Sequence, residues 1–231
     1  MKNILITGAS RGLGYQMARQ FAEQGERVFA TCRNPDGAKA LQEAAAASDG
    51  RLTIHRMDVG EMESVSACRE ELGDTPIDIL INNAGVFGGL ATQTFQNMDY
   101  DNWARELNIM LMGPFRVIQT FLPNVRAGND KKIVSLTSQV SAHAYDHLIG
   151  YSYATAKAGL NRAMTALAQE MADEDLIFSL LHPGWVKTEM AGDVADLEPA
   201  AAAADNIATI RKLTREDSGK FRKWDGGIHP W

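Results

Sequence analysis

Short runs of β-branched and apolar residues alternate along this chain with longer segments of helical periodicity, and few folds accommodate that alternation. Runs at Asn3–Thr7, Arg27–Cys32, Leu52–Met57, Ile77–Ile81, Lys132–Thr137, Ile177–His182 and Lys220–Lys223 read as strands, and residues 12–24, 38–47, 61–72, 101–126, 151–173 and 200–213 read as helices. Strands joined through helices pair in parallel, and a parallel sheet must be covered on both faces. A chain of 231 residues is long enough to do this as one domain. The expectation is therefore an α/β, doubly wound, seven-stranded parallel sheet in a single domain over residues 1–231.

The first strand runs straight into Thr7-Gly8-Ala9-Ser10-Arg11-Gly12-Leu13-Gly14, and helical periodicity begins at once. A strand, a glycine turn and a helix in that order aim free backbone N–H groups and a helix dipole at a pyrophosphate, which points to a Rossmann-type dinucleotide site. NAD-binding folds place an acidic residue on the ribose 2′-OH at the end of the second strand. Here that position holds Cys32 and Arg33. A guanidinium with no carboxylate beside it suits the 2′-phosphate of NADP(H), and Arg11 adds a second positive charge from the turn.

Tyr153 and Lys157 stand four residues apart on one predicted helix, hence on one face, after the strand Lys132–Thr137, at whose end Ser138 stands. A phenol is a poor base near neutrality, and a nearby ammonium favours its ionised form. Tyr153 can thus pass a proton to or from a carbonyl oxygen while Ser138 holds that oxygen, with hydride exchanged at the adjacent carbon.

The spacing G-x-x-x-G-x-G after Thr7, with Asn82-Asn83-Ala84-Gly85 and Tyr153-x-x-x-Lys157, resembles the short-chain dehydrogenase/reductase family, and the ending Asp225–Trp231 resembles its C-signal/Sniffer-type carbonyl reductase branch. The resemblance runs from Thr7 to Trp231. It implies that Gly8, Ser10, Arg11, Gly12, Leu13 and Gly14 cradle the cofactor, that Asp58 and Val59 meet the adenine, and that Asn83, Ala84 and Gly85 line its cleft. It also implies that Pro183, Gly184, Val186 and Thr188 meet the nicotinamide carboxamide, and that Lys157 contacts the nicotinamide ribose. A fourth catalytic member, an asparagine that helps hold a water bridging toward the lysine, matches Asn108. The Ser138–Tyr153 separation of 15 residues is long for the family, and Ser141, at 12, is the rival serine.

A net charge of −6 argues against nucleic-acid and anionic-membrane partners, no stretch is long and apolar enough to span a bilayer, and two cysteines suit a reducing cytoplasm. The histidines show no metal-ligand spacing, so no metal is expected. The expected partners are a small carbonyl or alcohol substrate and further copies of the chain, as a homodimer or homotetramer through helices 101–126 and 151–173. The alternative function is an NADP(H)-binding signalling protein with little turnover. A sugar-nucleotide epimerase would need a separate substrate domain, for which the chain leaves little room. Phe87, Met110, Met112, His143, Tyr145, Leu148, Trp185 and Met190 are candidates for an apolar substrate pocket, and residues 187–199 for a flap over it.

Overall fold

A computed structural model describes residues 1–146, 150–190 and 194–231. Strands β1 (Asn3–Ile6), β2 (Arg27–Cys32), β3 (Leu52–Arg56), β4 (Ile79–Asn82), β5 (Lys132–Leu136), β6 (Ile177–His182) and β7 (Phe221–Lys223) form one parallel sheet in the order β3-β2-β1-β4-β5-β6-β7. Helices α1 (Gly12–Glu23), α2 (Lys39–Ala46), α3 (Met62–Leu72), α4 (Tyr100–Leu107), α5 (Gly113–Ala127), α6 (Tyr151–Glu170) and α7 (Pro199–Lys212) cover it. The expected seven-stranded doubly wound fold is the observed one.

Residue alternation along the strands divides the core. Ile4 and Ile6 of β1 face one side and pack with Met17 and Phe21 of α1 and Ile207 and Ile210 of α7. Leu5 faces the other, with Phe121 of α5 and Leu160 and Met164 of α6. All six of these β1 and α1/α7 partners and Phe121 are essentially without solvent contact. Strands β4, β5 and β6 are buried along their whole length, which is why they read as continuous apolar runs. Phe221 of the basic run Lys220–Lys223 is buried too, and Arg222 pairs with Asp217, so that run is an anchored edge strand.

The sheet reverses its strand order between β1 and β4, and ligands of such sheets bind beyond the carboxyl ends of the strands at that reversal. Both the glycine turn after β1 and Asn83-Ala84-Gly85 after β4 stand there. The two are knitted together: the Asn83 and Ala84 amides each donate to Thr7 Oγ1 at 3.0 Å, and Asn83 Nδ2 donates to the Thr7 and Gly8 carbonyls at 2.9 Å each.

The single helix expected over 101–126 is three pieces. Helix α4 ends at Leu107, residues Asn108–Met112 form one wide π-type turn closed by the Gly113 amide on the Asn108 carbonyl, and α5 begins at Gly113. Pro114, the second residue of α5, has no N–H for the carbonyl four residues before it, so the regular ladder loses that bond where the turn widens. Gly113 is also pressed on Val59, where a Cβ would stand 2.9 Å from Val59 Cγ2. The segment expected as a flap over 187–199 is tied at its base, with the Lys187 amide on the Leu197 carbonyl at 2.9 Å and the Leu197 amide on the Trp185 carbonyl at 3.0 Å.

Candidate active site

A cavity of about 780 Å³ opens beyond the carboxyl edge of the sheet. It is large enough for a dinucleotide with a small molecule beside it. Its walls include Gly8, Ser10, Arg11, Gly12, Leu13 and Gly14 from the glycine turn, and Asn83, Ala84 and Gly85 from the end of β4. They also include Arg33 after β2, Asp58 and Val59 after β3, Ser138 after β5, Tyr153 and Lys157 of α6, and Pro183, Gly184, Val186 and Thr188 after β6. All residues expected in the site are gathered there except Asn108.

The glycine turn has the form a dinucleotide needs. Gly8 and Gly12 have φ of +68° and +57°, a region that favours glycine. A Cβ on Gly8 would stand 2.7 Å from the Ala84 Cα, and one on Gly14 would stand 2.3 Å from Asn83 Nδ2, so neither position admits a side chain. Gly12, Leu13 and Gly14 at the start of α1 line the cavity, and the N-terminal amides of a helix form the cradle a pyrophosphate fits. Arg33 is exposed and has no ion-pair partner among the described residues. Arg11, by contrast, pairs with Glu189 from the segment after β6, so the second expected cation is engaged across the cleft.

Ser138 and Tyr153 line the same cavity, and the Ser138 hydroxyl favours the ionised form of the Tyr153 phenol. Ser141 is settled by its burial: it ends a short 3₁₀ turn, Gln139–Ser141, and its hydroxyl accepts from Asn161 Nδ2 at 2.7 Å and from Thr137 Oγ1 at 3.3 Å. It supports Ser138 from behind and does not line the cavity. Lys157 is buried, and its Nζ donates to the Leu136 carbonyl at 2.8 Å and stands 5.9 Å from the centre of the Tyr153 ring.

Electrostatics in the cleft run against the simplest expectation. Burial pushes the Tyr153 phenol up to about 12; the Ser138 hydrogen bond opposes this and the Glu106 carboxylate adds to it. Burial also pulls the Lys157 ammonium down to about 8. Burial is the largest cause of both shifts, and the site as it stands holds Tyr153 as a proton donor.

The sequence matches the short chain dehydrogenase family over residues 2–198. The chain belongs to that family. Over its full length it is 30% identical, across 239 aligned residues, to a 1-hydroxy-2-glutathionyl-2-methyl-3-butene dehydrogenase of Rhodococcus, covering 100% of both chains. It is 36% identical over 157 residues to the C-signal protein of Myxococcus xanthus, covering 68% of this chain and 93% of that one. Among solved structures, a Pseudomonas aeruginosa carbonyl reductase in complex with NADP superposes with a TM-score of 0.89 at 31% identity, covering 100% of both chains. The NADPH-bound carbonyl reductase from chicken fatty liver gives 0.90 at 26%, covering 100% of this chain and 99% of that one.

One expected member of the site, Asn108, is not among the residues that line the cavity. Asn108 faces away from the cavity: its Nδ2 donates to the Gly60 carbonyl at 3.2 Å, and its Oδ1 accepts from Arg116 at 2.7 Å. The π-type turn carries Ile109 and Met110 to the cavity wall in its place. A lone asparagine in a helical segment gives its direction only if the helix is regular, and here it is not.

Of the apolar candidates, Phe87, Met110, Tyr145, Trp185 and Met190 line the cavity, Met112 and His143 do not, and Leu148 lies outside the described residues. Sequence reading missed Leu90, Val140 and Val194 on the same wall, and Gln93 and Glu106 behind it. Nothing in the local pattern marks the last two, because a glutamate in an amphipathic helix reads as a solvated face. Among the described residues no group of three His, Cys, Asp or Glu side chains could hold a metal, and no helix is long and apolar enough to cross a membrane.

The lowered Lys157 pKa carries a stability consequence with a definite sign. Below about pH 8 folded and unfolded states are both protonated and the burial penalty acts in full; between about 8 and 10.5 only the unfolded state keeps the proton, so stability rises with pH. Wild type should gain on Lys157→Met by up to ~3 kcal/mol across that interval in denaturant melts. Parallel curves for the two proteins would show that the lysine is not held against its preference.

Proposed function

We propose that the chain is an NADP(H)-dependent carbonyl reductase of the short-chain type, interconverting a carbonyl and an alcohol with Tyr153 as general acid and base. The observation that carries this reading is the convergence of Ser138, Tyr153 and Lys157 with a glycine turn in one cavity. The P. aeruginosa and chicken carbonyl reductases, described with NADP and NADPH bound, add support from chains of the same fold.

In this reading the amides of the glycine turn bind the pyrophosphate, Arg33 pairs the 2′-phosphate, and Asp58 and Val59 flank the adenine. The segment Pro183–Thr188 orients the carboxamide. The bound nicotinamide supplies or accepts the hydride. The Ser138 hydroxyl holds the substrate oxygen in hydrogen-bond reach of the phenol, Tyr153 moves a proton at that oxygen, and Lys157 places positive charge beside the phenolate that remains. Because the phenol stays protonated through neutral pH, reduction should dominate there, with oxidation favoured as pH rises.

The competing reading, a cofactor-binding signalling protein, draws on the likeness to C-signal. NADPH consumption over a panel of aldehydes and ketones separates the two. Tyr153→Phe should lower kcat by about 10²–10⁴-fold with cofactor affinity intact, since the ring still packs and only the proton donor is gone. A variant with the wild-type kcat would remove Tyr153 from the chemistry.

Cofactor choice rests on Arg33. A charge-assisted hydrogen bond contributes ~1.5–3 kcal/mol, so Arg33→Ala should weaken NADPH binding by roughly ten- to a hundredfold and leave NADH binding unchanged. Equal weakening of both in a calorimetric titration would show that no phosphate is read there. We further propose that the chain works as a homodimer or homotetramer through the α4–α5 and α6 faces, where Met112 and Phe115 are 44% and 42% exposed. Light scattering at micromolar concentration should give a multiple of the chain mass, and a monomer there would overturn this.

A further inference from the structure

Glu106 is a carboxylate in the protein interior with 0% exposure and no ion pair among the described residues. An unpaired interior charge is costly unless its lone pairs are satisfied. Here they are satisfied by three donors from three places. The Gly88 amide, in the segment after β4, donates to Oε1 at 2.6 Å; Asn102 Nδ2, one turn earlier on α4, donates to the same oxygen at 3.2 Å; and the Ser152 hydroxyl, in the first turn of α6, donates to Oε2 at 2.6 Å. Ser152 is the residue immediately before Tyr153.

A second buried side chain makes the same connection a few residues away. Gln93, 3% exposed, donates through Nε2 to the Gly89 carbonyl at 3.0 Å and accepts the backbone N–H of Tyr153 itself on Oε1 at 3.2 Å. Gly150, which enters α6, fits against it: a Cβ there would stand 2.3 Å from Gln93 Oε1. The stretch held by these two ties puts Phe87 and Leu90 on the cavity wall. The Phe87 ring meets the Tyr153 ring edge-on, 5.5 Å between centres.

The amide of Tyr153, its neighbouring hydroxyl and its ring are thus all held by residues 87–93 or by the carboxylate that also holds residue 88. From this we propose that Glu106 is a positioning residue: it clamps the first turn of α6 and the substrate-facing segment 86–93 into one body, so that Tyr153 and the wall that seats the substrate keep a fixed relation. Glu106 touches neither cofactor nor reacting atoms. Its effect passes through Ser152 and Gly88 to the phenol and the pocket wall, and misplacement of a reacting group by about 1 Å costs on the order of a hundredfold in rate. The reading rests on the proposed carbonyl reduction for its kinetic consequence and on geometry alone for its structural one.

The test uses three variants of the full chain: Glu106→Gln, which keeps the shape and can still bond Gly88 and Ser152; Glu106→Leu, which keeps the volume and bonds none of the three donors; and Ser152→Ala, a small change that removes one donor if Glu106→Leu does not fold. Steady-state reduction of a carbonyl taken from the panel is measured with saturating NADPH, together with amide hydrogen exchange read by peptide. In Glu106→Leu, kcat should fall by about a hundredfold and KM for the carbonyl should rise, with the NADPH dissociation constant unchanged, while exchange quickens at residues 86–93 and 150–154 together. Glu106→Gln should recover kcat to within about tenfold of wild type, and Ser152→Ala should fall between the two.

A Glu106→Leu protein with wild-type kcat and KM would overturn the proposal, as would faster exchange at only one of the two segments or Glu106→Gln as impaired as Glu106→Leu. If wild type itself reduces no carbonyl, the reductase reading fails, and the paired exchange response still decides the clamp.

Discussion

The turn after β1 and the end of β4 approach so closely that Gly8 has no room for a side chain against the Ala84 backbone, and Asn83 fills the remaining gap by bonding two carbonyls of the turn. Everything functional hangs on that contact. It fixes where the amides of α1 point, it sets the floor of the cleft at the place where the strand order reverses, and it directs the chain after Gly85 across the mouth of the cavity. Thr7, spent on two amides through one oxygen, holds the same junction from below. A side chain at Gly8 or Gly14 would part the two strand ends and with them the cradle and the substrate wall.

Against this rigid floor stand groups whose charges fit their surroundings poorly. Lys157 is buried with its Nζ on the Leu136 carbonyl and its pKa pulled down by desolvation, and burial favours the protonated Tyr153 phenol. Sites that must change protonation during a reaction are built of such groups, because a residue at ease in one state resists leaving it. Arg11 shows the complementary case: exposed and paired with an equally exposed Glu189, it forms an ion pair that salt screens and that contributes little at rest, so an incoming phosphate competes with a weak partner.

Most of the fold was legible because buried parallel strands announce themselves as apolar runs, and β2 and β6 fall on the expected residues. The glycine turn, Asn83, Tyr153 and Lys157 were legible because their spacing is short and their meaning local. Asn108 was not, since its direction depends on a helix that the π-type turn interrupts. Ser138, preferred over Ser141 because it stands at the end of the strand, lines the cavity, and the 3₁₀ turn puts the Ser141 hydroxyl against Asn161. Glu106 and Gln93 escaped altogether, because their partners lie on segments far away in sequence and come together only in the folded chain.

The π-type turn between α4 and α5 admits a different description, as one residue more than a regular helix would use over the same span. Each residue advances a helix by about 100° of rotation, so the surplus residue sets the phase of α4 against α5. Shortening Asn108–Met112 by one would let a single uninterrupted helix run through, provided Pro114 were replaced as well. It would also swing α4 round its axis by roughly a quarter turn, taking Glu106 out of the interior toward solvent. The irregularity is what allows one continuous stretch of chain to bury an acid beside the site with its first half and to pack apolar side chains on the sheet with its second.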